Sequence, residues 1–298
     1  MWPNYQPALD AALARAGIAA NLACSHAADE VDYIIFAPDG GLQDFTPFTR
    51  LKAVLSLWAG VEAITTNPTL TVPLTRMVDN GLSAGMVEYV LGYVLRYHLD
   101  IDRYSRANGP HWQPRVPPLA RQRRVTVLGL GALGVACAET LAGIGFNVCG
   151  WSRGPHRVEG ITCRFGPDGF AKALAEAEIL VTLLPLTPAT ENLLNAETLA
   201  LLPRGARLIN PGRGALIDDD ALIAALQSGQ IGHATLDTFR VEPLPEAHPF
   251  WQQPNVTITP HIAAETRPDT ASDVIAENIR RAQANEPLLH LVDRRAGY

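Results

Sequence analysis

Residues 125–134 read Val125-Thr126-Val127-Leu128-Gly129-Leu130-Gly131-Ala132-Leu133-Gly134. A short apolar run meets three glycines spaced G-x-G-x-x-G. Small apolar residues then continue to about 143, and a second apolar run fills 146–151. The order is strand, tight turn, helix, strand. In that setting each glycine has a physical reason: one allows the turn, one lets the backbone approach a pyrophosphate, and one lets helix and strand pack closely. The helix amino terminus that opens after the turn favours phosphate charge. A membrane span is the competing interpretation, because Glu139 is the only charged residue across 125–151 and that length can cross a bilayer. The glycines at 129, 131, 134, 143, 145 and 150, and the different character of the two halves, favour the dinucleotide turn.

The second strand leads into Trp151-Ser152-Arg153, with His156 and Arg157 close behind. A site built for NAD usually places Asp or Glu here, to bind the ribose 2′-hydroxyl. A carboxylate would repel a 2′-phosphate, whereas Ser152 can donate to one, and Arg153 and Arg157 can pair with it. NADPH is therefore expected over NADH.

Further along, apolar runs at 178–184, 206–210, 233–238 and 256–260 alternate with helical patterns at 168–177, 195–201 and 219–228. Strands separated by helices favour a mostly parallel sheet covered on both faces. Ligands of such sheets bind beyond the carboxyl ends of strands. Three successive strand ends there carry chemistry: Asn210-Pro211-Gly212-Arg213-Gly214, then Asp237 with Glu242 shortly after, then Pro260-His261. An arginine can clamp a carboxylate and polarise a carbonyl. A histidine, with a free pKa of about 6.5, can protonate a developing alkoxide. A nearby glutamate stabilises and orients the imidazolium. Together Arg213, Glu242 and His261 suit hydride transfer to a 2-oxo acid.

The chain has 298 residues, 47 % hydrophobic and 18 % charged, with a formal charge of −6. That supports two domains with real cores and gives no general field for nucleic acid. Cys24, Cys137, Cys149 and Cys163 form no C-x-x-C pair, so reduced thiols in a cytoplasmic protein, without a metal site, are expected. No signal peptide or membrane segment is expected. The first third alternates a helix at 7–18, strands at 32–37, 51–57 and 72–77, and a long helix at 85–106, followed by a proline-rich stretch. A last helix is expected at 270–285.

The motifs at 128–134 (LGLGALG), 183–190 (LLPLTPAT), 208–222 (LINPGRGALIDDDAL), 236–245 (LDTFRVEPLP), 259–268 (TPHIAAETRP) and 292–298 (VDRRAGY) closely resemble those of the D-isomer-specific 2-hydroxyacid dehydrogenases, above all the NADPH-dependent glyoxylate/hydroxypyruvate reductase branch. The similarity covers almost the whole chain. It implies an α/β protein with a Rossmann-type doubly wound parallel-sheet domain over 87–265. A smaller flavodoxin-like substrate domain would combine 1–86 and 266–298. It implies that Arg213, Glu242 and His261 are the catalytic trio, and that Asp237 contacts the nicotinamide carboxamide. The backbone of Trp58-Ala59-Gly60-Val61 would hold the substrate carboxylate. Gly129, Gly131, Ala132, Leu133, Gly134, Leu184, Pro185, Thr190, Pro211 and Gly212 would meet the cofactor. It also implies a homodimer formed through the helix at 85–106, with Trp112 reaching toward the partner. The chain departs from the pattern in one place. The family's substrate domain opens with a β-strand, and Trp2-Pro3-Asn4 is not strand-like, so that strand is expected to be missing. The remaining alternatives are a dehydrogenase for larger 2-oxo acids and a non-catalytic dinucleotide-sensing regulator.

Overall fold

The glycine-rich stretch folds as strand Arg124–Leu128, a turn, helix Ala132–Ile144 and strand Asn147–Ser152. Among the described residues no helix is long and apolar enough to cross a membrane. The computed structural model describes residues 2–105, 113–295 and 297. The chain divides into two units, Ser83–Ala264 and Met1–Leu82 with Glu265–Tyr298.

The unit Ser83–Ala264 is built on a seven-stranded parallel sheet. Its spatial order is Val256–Ile258, Ile231–Leu236, Ala206–Asn210, Ile179–Thr182, Arg124–Leu128, Asn147–Ser152, Thr162–Phe165. The middle strands are buried along almost their whole length, as expected when helices cover both faces. Leu128, Leu174, Leu180 and Leu208 belong to one core cluster, and Val90, Val127, Leu141 and Ile179 to another. Chain order reverses between Arg124–Leu128 and Ile179–Thr182. At such a switch point the loops after the two strands diverge and leave a crevice for a ligand.

The other unit holds a three-stranded parallel sheet in the order Tyr33–Phe36, Ala53–Ser56, Leu74–Thr75. Helices Trp2–Arg15 and Pro268–Gln283 also belong to this unit and pack together. Helix Pro268–Gln283 buries Ala271, Ile275, Ala276 and Ile279, which recur at helical spacing along one face. No strand precedes Trp2–Arg15 among the described residues, and Tyr33–Phe36 pairs directly with Ala53–Ser56.

Several boundaries differ from the sequence expectation. The first helix begins at Trp2 and contains Pro7, because a proline near the amino end removes only one intrahelical hydrogen bond. The long helix expected at 85–106 is two helices, Asn80–His98 and Ile101–Ser105. Asp100, with φ +55°, leaves the helical region and breaks the ladder. The edge strand Thr162–Phe165 was not expected at all. It has four residues, none of them buried, so it carries no apolar run to betray it. Trp112 and Arg106 lie outside the described residues.

Candidate active site

The phosphate turn follows the carboxyl end of Arg124–Leu128. Gly129 adopts φ +104°, and a Cβ there would lie 2.5 Å from the Leu183 carbonyl oxygen. A Cβ on Gly134 would lie 1.8 Å from the Gly129 carbonyl oxygen, so helix and turn meet at a distance only glycine permits. Gly131 differs: a Cβ there would meet nothing within 4 Å. Gly131 caps helix Ala132–Ile144 with no side-chain hydrogen bond and no acidic residue in the first turn. Its leading N–H groups therefore keep the positive end of the helix dipole for an anion. These features fit a dinucleotide pyrophosphate against Gly129, Gly131, Ala132, Leu133 and Gly134.

Two neighbouring elements complete this side. The Gly129 N–H donates to the Trp151 carbonyl at 2.8 Å, which fixes the turn beside the end of Asn147–Ser152. There Ser152 is buried and its hydroxyl donates to the Gly154 carbonyl at 2.8 Å, while Arg153 and Arg157 are exposed. No carboxylate occupies 151–157. On the far side of the switch point, Thr190 Oγ1 donates to the Pro185 carbonyl at 2.7 Å and accepts the Thr187 N–H at 2.8 Å. That pair closes the loop carrying Leu184 and Pro185.

Arg213, Asp237 and His261 follow three neighbouring strands of the same sheet edge. Asn210, fully buried, organises the first turn. Its Oδ1 accepts the Thr182 hydroxyl at 2.5 Å and the Gly212 N–H at 3.2 Å, and its Nδ2 donates to the Arg213 carbonyl at 3.0 Å. Pro211 and Gly212 are buried and Arg213 half-buried. A Cβ on Gly214 would lie 2.0 Å from the Phe239 carbonyl carbon, so the Arg213 turn packs against the segment that carries Glu242. The Phe239 N–H donates to Glu242 Oε1 at 2.8 Å, and Glu242 Oε2 meets His261 Nδ1 at 2.8 Å. The His261 side chain is half exposed. With Nδ1 engaged, Nε2 is the nitrogen left to face a substrate.

Asp237 has a structural task that its sequence position does not reveal. It is fully buried. Its Oδ1 accepts the Thr259 hydroxyl at 2.5 Å and the Ile262 N–H at 2.9 Å, and its Oδ2 accepts the Ala263 N–H at 2.9 Å. Its carbonyl accepts the His261 N–H at 2.8 Å. The carboxylate thus holds the turn in which His261 adopts φ +55°, a conformation that is costly for a non-glycine residue. Thr259 Oγ1 is also 2.7 Å from the Tyr89 hydroxyl. Thr259 gives its proton to Asp237, so Tyr89 is the donor in that pair. Burial pushes the Tyr89 hydroxyl far above its ordinary range, which keeps that proton in place. Asn210, Thr259 and Tyr89 were not singled out in the sequence. Of these, only Asn210 leaves a local trace, as an Asx residue two positions before a buried glycine.

Trp58, Ala59, Gly60 and Val61 lie in the other unit, after strand Ala53–Ser56. The Trp58 N–H donates to Ser56 Oγ at 3.1 Å and the Trp58 carbonyl accepts the Met77 N–H at 3.0 Å. The N–H of Trp58 is therefore already engaged within its own turn.

The fold and the glycine turn define a nicotinamide-dinucleotide-binding oxidoreductase, and residues 91–263 match the family described as D-isomer specific 2-hydroxyacid dehydrogenase, NAD binding domain. The chain belongs to that family. It is 44 % identical over 257 residues to a glyoxylate/hydroxypyruvate reductase A of Serratia proteamaculans, covering 84 % of this chain and 82 % of that protein. A crystal structure of a D-isomer specific 2-hydroxyacid dehydrogenase from Xanthobacter autotrophicus, in complex with NADPH and MES, superposes with a TM-score of 0.88 at 44 % identity. That match covers 100 % of this chain and 96 % of that one. An NADPH-dependent glyoxylate/hydroxypyruvate reductase from Sinorhizobium meliloti, in complex with NADP and sulfate, gives a TM-score of 0.87 at 35 % identity, covering 98 % and 96 %.

Proposed function

We propose that the protein uses NADPH to reduce a small 2-oxo acid, glyoxylate or hydroxypyruvate, to the 2-hydroxy acid. The observation that carries this reading is the Glu242–His261 pair at 2.8 Å, on the sheet edge that also presents Arg213 and the glycine turn. Bound NADPH supplies the hydride to the carbonyl carbon. Arg213 pairs with the substrate carboxylate and polarises the carbonyl. His261 donates a proton from Nε2 to the oxygen as negative charge gathers there. Glu242, held by the Phe239 N–H, orients the ring through Nδ1 and offsets the imidazolium charge. Asp237 acts as a positioning residue for the His261 turn. Arg153 and Arg157 select the 2′-phosphate, joined by Ser152 once its hydroxyl leaves the Gly154 carbonyl, in line with relatives whose structures hold NADPH and NADP. Four free cysteines among the described residues support a cytoplasmic setting. Exposed Leu99, Ile101 and Tyr104 beyond helix Asn80–His98 support a homodimer.

Steady-state oxidation of NADPH against a panel of 2-oxo acids tests the reading. Glyoxylate and hydroxypyruvate should give the highest kcat/KM, and NADPH should outperform NADH. Preference for a bulky 2-oxo acid would assign the chain to larger substrates. Inactivity across the panel would overturn catalysis in favour of a dinucleotide-sensing regulator.

A further inference from the structure

The catalytic and cofactor-facing groups assigned above follow the carboxyl ends of strands. The opposite edge of the same sheet, at the amino ends of Arg124–Leu128, Ile179–Thr182 and Ala206–Asn210, bears a separate polar cavity of about 360 Å³. That volume lies at the lower end of the range typical of small-molecule sites, about 300–1,000 Å³. Four guanidinium groups line it, those of Arg115, Arg123, Arg204 and Arg207, against the two carboxylates of Asp100 and Glu178.

The carboxylates do not exhaust these cations. Arg115 and Arg207 share Asp100, at 3.3 and 3.9 Å. Arg123 gives Nη1 to Glu178 at 2.8 Å, and Glu178 also accepts the Arg124 N–H at 2.9 Å. Arg204 gives Nη2 to the Ser228 carbonyl at 2.6 Å. Two buried lining atoms lack a hydrogen-bond partner: Arg123 Nε and Nδ1 of His98. His98 is only 6 % exposed. Buried nitrogens of this kind are costly unless a partner meets them: Arg123 Nε–H calls for an acceptor, and so does His98 Nδ1 in the tautomer that carries its proton there. Excess positive charge in a concave, partly desolvated site strengthens attraction for an anion, and planar guanidinium forks match oxyanion geometry.

We propose that this cavity binds a small oxyanion bearing two or more negative charges, a phosphate or a polycarboxylate, at a site separate from the catalytic one. The proposal rests on the functional reading above only for where the other anion sites lie. The glycine turn with Arg153, and Arg213, are the two competing anion sites to be silenced.

Isothermal titration of the full chain, saturated with NADPH and held at constant ionic strength, isolates the cavity. Inorganic phosphate and citrate are the two probes, applied to the wild type, Arg213→Ala, Arg204→Ala and Arg123→Gln. Binding of one anion per chain should persist in Arg213→Ala and weaken at least about tenfold in Arg204→Ala and Arg123→Gln. Arg204 is exposed, so its truncation spares the core. The anion-dependent rise in Tm, compared within each variant, follows the same order by linkage. Binding of phosphate alone identifies a phosphoryl ligand, and binding of citrate alone a polycarboxylate. The proposal is overturned if neither anion binds, if binding vanishes in Arg213→Ala, or if both cavity variants bind like the wild type. Because Arg204 and Arg123 lie outside the catalytic groups, these outcomes are independent of whether glyoxylate is the substrate.

Discussion

Replacing Asp237 by asparagine separates a clamp on the His261 turn from a cofactor contact. The carboxylate is fully buried and accepts three hydrogen bonds, two at Oδ1 and one at Oδ2. In the better of its two orientations an asparagine keeps its oxygen toward Thr259 and Ile262. Its amide then faces the Ala263 N–H, donor against donor. The Ala263 N–H is left buried and unpaired, at about 1–3 kcal/mol, and the two surviving bonds lose their ionic partner, at about 1 kcal/mol together. The sum is about 2–4 kcal/mol, concentrated on residues 259–263. For a unit of this size it lowers Tm by about 5–15 °C. His261 sits within that segment, and a displacement of about 1 Å in a catalytic group can cost about 10²-fold in rate. Stopped-flow and steady-state assays with NADPH should therefore show kcat down about 10²-fold, with NADPH affinity changed less than about threefold. A wild-type Tm and kcat would refute the clamp. Weakened NADPH binding with kcat intact would assign the carboxylate to the nicotinamide instead.

Gly134→Ala forces a Cβ to 1.8 Å from the Gly129 carbonyl oxygen. Backbone must move, so thermal unfolding should show a loss of about 3 kcal/mol or more, and NADPH binding should fail. Arg153→Glu places a carboxylate where a 2′-phosphate is expected, and the ratio of kcat/KM for NADPH over NADH should fall at least about tenfold. Burial, with Arg123 nearby, pushes the His98 imidazole below its ordinary value. Folding then favours the neutral ring, so its stabilising effect is present above about pH 6.5 and is lost as pH falls through the lower folded value. Tm measured from neutral to mildly acid pH should fall less steeply in His98→Gln than in the wild type.

The central sheet was legible because its middle strands are buried on both faces and read as nearly unbroken apolar runs, as in 179–182 (ILVT). Thr162–Phe165 escaped notice because an edge strand needs no such run. The break at Asp100 lay hidden because the apolar helical spacing continues past it. In the site, the glycines, Arg213, Glu242 and His261 stood out because each sits just beyond a strand end, where chemistry concentrates. What could not be read was the set of bonds that aim them. Tyr89 lies 170 residues from Thr259, and Asp237 reaches Ala263 only once two parallel strands lie side by side. Such pairings exist in the fold and leave no local spacing to detect. Asp237 illustrates the point: nothing in its local sequence announces the hydrogen bonds it accepts from Thr259, Ile262 and Ala263 in the turn that carries His261.

The proton donor is the centre of the mechanism, and His261→Gln tests it directly. Single-turnover reduction of glyoxylate by the NADPH-loaded variant should slow by about 10²–10⁴-fold, with NADPH affinity close to that of the wild type. A rate within a few-fold of the wild type would contradict the assignment of His261 as the acid.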